Sequence, residues 1–210
     1  LGGECWSSSG NHVIHPKVAA HSARKMLAFL DNFSNFPQAT REAPFDLWCA
    51  LTWFFATPFL KVMRDRAREV GQDVWSYPNH FILLGPSNLG KTTFSKVAML
   101  NMYGHEHIVS RMGKKNERQW VRSEIGSFPY VMDDILGSDL KRETLYPDMV
   151  KSEQHTDLAP TFSSTNGDAV GVTPDVRKRA ITLWLPFSPI PEDRSCLLYT
   201  SLSGLARQTV

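Results

Sequence analysis

The run Gly85-Pro86-Ser87-Asn88-Leu89-Gly90-Lys91-Thr92 has the form G-x-x-x-x-G-K-[ST], and its residue types suit a polyphosphate. Two glycines let the chain turn tightly, so that successive N–H groups point inward at an anion. Lys91 is spaced to reach β- and γ-phosphate oxygens, and the Thr92 hydroxyl to take one position on Mg2+. The stretch Gly85, Pro86, Ser87, Asn88, Leu89, Gly90, Lys91, Thr92 and Thr93 is therefore the candidate nucleotide-binding set. The plainer alternative is a glycine turn between two core elements.

Three further groups carry chemistry. Asp133 and Asp134 follow the apolar run Phe128-Pro129-Tyr130-Val131-Met132. Opposite a phosphate loop, the first acid holds Mg2+, usually through water, and the second orients and deprotonates the water that attacks the γ-phosphate. Two aspartates after a strand also cap a helix. Asn166 ends Thr161-Phe162-Ser163-Ser164-Thr165, where a carboxamide can bond both the γ-phosphate and that water; Asn166-Gly167 is equally a turn dipeptide. Arg177, Lys178 and Arg179 precede a last apolar run. A guanidinium brought to the γ-phosphate stabilises transition-state charge and contributes about 10³–10⁵ in rate. Arg179 is the first candidate and Arg177 the second, against a solvated basic turn.

These groups need strands and helices to hold them. Strand His80–Leu84 leads into the loop, and a helix over Lys91–Met102 leaves it. A strand is expected at His107–Ser110, a helix from Asn116 to about Ile125, and a strand at Phe128–Met132. A helix of about a dozen residues then starts at Ser138 or Asp139. Strands at Pro160–Thr165 and Ala180–Leu185 complete a largely parallel sheet of about five strands with helices between them. The fold class is α/β. Gly85, Asp133 and Asn166 all follow strand ends, and in such sheets ligands gather at the carboxyl ends.

Upstream, residues 1–15 are rich in glycine and serine and read as a linker or tail. Residues 16–75 read as a helical region: a helix from Pro16 to Asn32, a long apolar helix from Phe45, and a separate helix from Phe59 to Val70. Thr57-Pro58 starts that last helix and Gly71 stops it. The nucleotide core spans 76–190, and 191–210 is a tail. Leu47 to Leu60 is uncharged for 14 residues, short of the about 20 that span a bilayer, and reads as a core helix or a docking surface. A hydrophobic fraction of 42% supplies a large core, while a net charge of +2 neither requires nor excludes nucleic acid. Cys5, Cys49 and Cys196 lie far apart, which excludes a disulfide framework or zinc ribbon and fits a reducing compartment, so an intracellular, cytoplasmic setting is expected. The histidines 12, 15, 105 and 107 with Cys5 lack a second cysteine at ligand spacing. The ends of the sequence read as those of a piece of a longer protein carrying other domains.

The order of phosphate loop, strand with two acids, strand ending in Thr-Asn, and arginine before a strand resembles the superfamily 3 helicases. These are AAA+-related P-loop NTPases of three-layer α/β/α type. The resemblance covers about residues 80–187, with PTFSSTN similar to the family's third motif. It implies a ring, usually a hexamer, with ATP between subunits, Asn166 as sensor, Arg179 acting on the neighbour's nucleotide, and a helical bundle before the core. It also implies a nucleic-acid partner, in DNA replication. The family's DNA-contacting β-hairpin has little room here: about two dozen residues separate Asp134 from Pro160, and Lys151 and His155 would lie on a stunted version. Asp134 is one methylene shorter than the usual Glu. With no Asn-Lys-x-Asp signature for guanine, ATP is the default. The rival is a regulatory ATPase switch within a multidomain nuclease or defence effector; a small-molecule phosphotransferase lacks the Asn166 and Arg179 pattern. Lys114, Lys115, Arg118, Trp120 and Arg122 are a candidate nucleic-acid contact, or else a charged turn with Trp120 packed in the core.

Overall fold

A computed structural model of the chain describes residues 16–35, 43–103, 115–135, 158–166, 172 and 174–185. Helix α1 is Pro16–Asp31, followed by a 3-10 turn at Asn32–Asn35, and α2 is Ala43–Glu69. A 3-10 turn at Val74–Ser76 leads to β1, His80–Leu84. Then come α3, Lys91–Tyr103; α4, Lys115–Glu124; β2, Tyr130–Met132; β3, Thr161–Thr165; a four-residue helix α5, Pro174–Arg177; and β4, Ala180–Trp184. Among the described residues the strands form one parallel sheet in the order β2-β3-β1-β4. The expected strand at His107–Ser110, the helix after Ser138, and Lys151 and His155 lie outside the described residues.

Period-two alternation splits the strand side chains between two cores. Phe81, Leu83, Val131 and Phe162 face α1, α2 and α3. Ile82, Leu84, Tyr130 and Met132 face α4 and α5, with Val121, Ile125 and Val176. This is a three-layer α/β/α arrangement. Cross-strand partners Phe81 and Phe162 stack with centroids 5.4 Å apart, and Phe54 of α2 lies 4.6 Å from Phe162, so the sheet and the N-terminal helices share one aromatic cluster.

The expected break at Thr57-Pro58 is absent: α2 runs through Pro58 as one 27-residue helix. Proline has no N–H for the carbonyl four residues back, that of Phe54. The Thr57 hydroxyl donates to Phe54 O at 2.7 Å, and the Tyr103 hydroxyl lies within 3.3 Å of the same oxygen. The orphaned acceptor is thus satisfied from within the helix and from α3. Gly71 stops the helix as expected, with φ 69° and a Schellman pair of bonds, Gln72 N–H to Ala67 O and Gly71 N–H to Arg68 O.

The basic helix α4 also differs from expectation. Arg118 and Arg122 are buried, and Trp120 is 65% exposed. Positions 118, 121, 122 and 125 form one helical face, and that face meets the sheet. Arg122 donates from Nε and Nη2 to Ala159 O, at 2.8 and 2.5 Å, while Ala159 N–H donates back to Arg122 O. Lys114 is outside the described residues.

Candidate functional site

The carboxyl ends of β1, β2 and β3 meet at one place. Because β3 lies between β1 and β2, Asn166 stands between the loop after Leu84 and the two acids after Met132.

The loop is shaped by close approach and by two positive φ angles. A Cβ on Gly85 would sit 3.0 Å from both Leu185 O and the Leu89 side chain. Asn88 at φ 61° and Gly90 at φ 76° turn the backbone inward. Leu89 is fully buried, so its side chain pegs the loop to the core and only its main chain is available to a ligand. Phe94 N–H donates to Gly90 O, which leaves the N–H groups of Lys91, Thr92 and Thr93 ahead of the first intrahelical bond of α3. Ser87 and Asn88 are exposed, and Pro86, having no N–H, contributes its carbonyl.

Two chains of side-chain contacts cross the strand ends. In one, Thr92 Oγ1 donates to Asp133 Oδ2 at 2.7 Å, and Ser164 Oγ donates to Asp133 Oδ1. In the other, Lys91 Nζ donates to Gly85 O at 2.8 Å, Pro86 O at 2.6 Å and Asn166 Oδ1 at 2.9 Å, and Asn166 Nδ2 donates to Asp134 Oδ1 at 2.5 Å. Lys91 is buried, and desolvation lowers its pKa from 10.5 to about 8, against the opposing pull of Asp133 and then Asp134. Asp134 has φ 54°, a left-handed conformation uncommon outside glycine and Asn/Asp, which turns its carboxylate away from the strand and out to solvent.

Ser164 is the residue that sequence reasoning missed. Its hydroxyl bonds Asp133 and also accepts from Asp134 N–H at 3.2 Å, so one side chain spans both acids. The signal was its register: Met132 pairs with Ser163, so the next residue of each strand, Asp133 and Ser164, fall side by side.

Arg177 and Arg179 are not brought to this cluster. Ala180 pairs with His80, the first residue of β1, while the loop follows Leu84, the last. Arg179 therefore lies at the opposite end of the sheet, about 16 Å of extended chain away. Its guanidinium stacks over Trp75 at 5.1 Å, and Arg64 of α2 approaches the same ring at 5.5 Å. Arg177 is exposed at the end of α5. The histidines 12, 15, 105 and 107 and Cys5 lie outside the described residues, and Cys49 is an exposed free thiol. Among the described residues no helix is long and apolar enough to cross a membrane.

The donor set fits the group that a phosphate loop implies. A hydroxyl and a carboxylate in contact, Thr92 and Asp133, are hard oxygen ligands suited to Mg2+, and the lysine and the free N–H groups beside them suit phosphate oxygens.

A family model described as the Aq_aa27 P-loop NTPase domain matches residues 11–167 of the 210. No curated protein matches the chain. Among solved structures it is similar to a variant of Thermotoga maritima RuvB (17% identity, TM-score 0.38), over 70% of this chain and 49% of that one. It is also similar to C. elegans PCH-2 (11% identity, TM-score 0.42), over 85% of this chain and 50% of that one. A third is a JCV helicase bound to a small molecule (14% identity, TM-score 0.33), over 91% of this chain and 62% of that one. The chain thus spans about half the length of the RuvB and PCH-2 chains.

Proposed function

The chain belongs to the Aq_aa27 P-loop NTPase domain family, and from that premise we propose that it is a Mg2+-dependent ATPase that works as an oligomer, each chain completing its neighbour's site, and that its turnover moves or remodels nucleic acid. The observation that carries the reading is the pair of contact chains, Thr92–Asp133–Ser164 and Lys91–Asn166–Asp134, converging on the loop between β1 and α3.

The loop N–H groups and Lys91 bind the β- and γ-phosphates, and Lys91 exchanges Asn166 Oδ1 for a phosphate oxygen. Thr92 and Asp133 would hold Mg2+, which when bound would draw charge from the phosphate oxygens. Asn166, released from Lys91, turns its amide to the γ-phosphate and to the attacking water. Asp134, exposed and aimed by its left-handed backbone, takes the proton as the water oxygen bonds to the γ-phosphorus and the bond to ADP breaks. Arg179, too far from its own loop, supplies its guanidinium to the γ-phosphate of the next chain, with exposed Arg177 as the second candidate. The ring, usually a hexamer, and the nucleic-acid partner rest on the motif order shared with superfamily 3 helicases.

ATP hydrolysis measured with and without single-stranded DNA or RNA, beside the mass of the protein in each nucleotide state, tests this. Turnover stimulated by nucleic acid in a salt-sensitive way, with a larger mass in ATP, is expected. A nucleotide-dependent mass with no response to nucleic acid replaces the motor by a regulatory switch. No heat of binding with ATP and Mg2+ removes both.

A further inference from the structure

Helix α2 carries a second apolar face that its own core does not use. Leu47, Ala50, Leu51, Phe54, Leu60 and Ala67 are buried against the rest of the molecule. On the opposite side Phe45, Trp48, Thr52, Phe55, Phe59 and Val62 recur at steps of three, four, three, four and three, the spacing of a coiled-coil seam. The five apolar members are between 41 and 68% exposed. The polar member needs no outside partner: Thr52 Oγ1 donates to Trp48 O at 2.9 Å, so the seam can lose water there without stranding a hydroxyl.

We propose that a second copy of this chain covers the seam, pairing α2 with α2 about a two-fold axis. Four half-exposed aromatic rings with Val62 and neighbouring Met63 present about 600 Å² per copy, at about 200 Å² for a whole aromatic side chain. That is at the upper limit for an idle patch on a monomer. Doubled by symmetry, it passes the about 1,000 Å² that a specific interface needs. About a two-fold axis the same surface serves both partners, and a net charge of +2 per chain offers little repulsion. Aromatic anchors at the centre are the residues on which binding energy concentrates. This contact is the same surface on both partners. A ring that carries Arg179 to a neighbour's loop needs two different surfaces, so the pairing is separate from the ring and does not depend on nucleotide.

Sedimentation equilibrium of the whole chain, without nucleotide or Mg2+ and from about 1 to 100 μM, reads the pairing directly. The apparent mass is expected to climb from 23.7 kDa towards twice that value. Phe55→Glu and Phe59→Glu, made separately, should each weaken pairing at least about 30-fold, the scale of a hot-spot residue. Both should keep the native circular dichroism, and their melting temperatures should match the native one at concentrations where the native chain is itself unpaired and fall below it where the native chain pairs. Lys91→Ala should pair like the native chain, which separates this result from any failure of ATP binding. Trp120→Glu, on the other face of the sheet, should also pair normally. A native chain that stays monomeric across the range overturns the proposal and assigns the seam to a different protein surface. Glutamate variants that pair as well as the native chain, or a Trp120→Glu chain that fails equally, overturn it too.

Discussion

Two sets of buried cations stand at different places on this fold. At the carboxyl end of the sheet Lys91 touches two loop carbonyls and the carboxamide of Asn166, with Asp133 and Asp134 close enough to oppose the loss of its charge. On α4, Arg122 grips Ala159 O with two nitrogens, and Ala159 N–H returns a bond to the helix. The first cation has a partner that can swing away, next to groups able to hold Mg2+ and a phosphate. The second closes a loop of bonds onto fixed main chain. Residue type does not separate a site from a strut; the replaceability of the partners does. Burial moves Arg118 and Arg122 out of the nucleic-acid reading, whereas Trp120 faces solvent.

The largest effect belongs to Arg179. Arg179→Ala should lower ATP turnover by about 10³–10⁵, and mixing it with Lys91→Ala protein, itself inactive, should restore part of the rate. The rescue works because a mixed pair of neighbours contains one intact site. If steady-state rates of the mixture stay at those of its parts, the arginine does not act across chains, and its stacking on Trp75 is its whole role. Asp134→Asn comes next, at about 10²–10⁴ in turnover with ATP affinity kept. Asparagine tolerates the left-handed backbone at this position, so the change tests proton transfer without added strain. Equal losses in affinity and rate would make Asp134 a binding group. On the strut side, Arg122→Met should leave Ala159 O without its buried donors and cost about 1–3 kcal/mol in a urea titration. Activity below the unfolding transition should be unchanged. A loss of nucleic-acid stimulation without a loss of stability would return this helix to the site.

How legible each region was follows from the range of its interactions. The phosphate loop, its flanking strand His80–Leu84 and the two acids are local patterns, and their positions follow from strand ends. The continuity of α2 through Pro58 was not legible, because Thr57 reads as a cap that starts a helix rather than as a donor to Phe54 O, and the second donor, Tyr103, comes from another helix. The burial of α4 failed for the same reason: a strongly charged segment reads as solvated until Ala159 is seen to accept from it. Ser164 is intermediate. Its role depends on one step of register between β2 and β3, information that a strand prediction does not carry.

The sharpest discriminator between the two kinds of buried cation is proton loss, since only the lysine can lose its proton. Burial lowers Lys91 from 10.5 to about 8, so the folded protein holds fewer protons than the unfolded chain between those values. Stability in the absence of nucleotide should therefore rise with pH through that window, measured against Lys91→Met, which lacks the group. ATP affinity has the opposite sign. The phosphates recognise the ammonium, so above about pH 8 binding must take up a proton and should weaken by up to tenfold per pH unit. Calorimetry in two buffers of different ionisation heat reads that proton directly, and Lys91→Arg, charged throughout, should show neither slope. Asp134→Asn removes one of the two charges that hold the ammonium, and should move the onset of both slopes to lower pH together. If stability and affinity are flat across the window, Lys91 is solvated, and what distinguishes it from Arg122 is its place beside the strand ends alone.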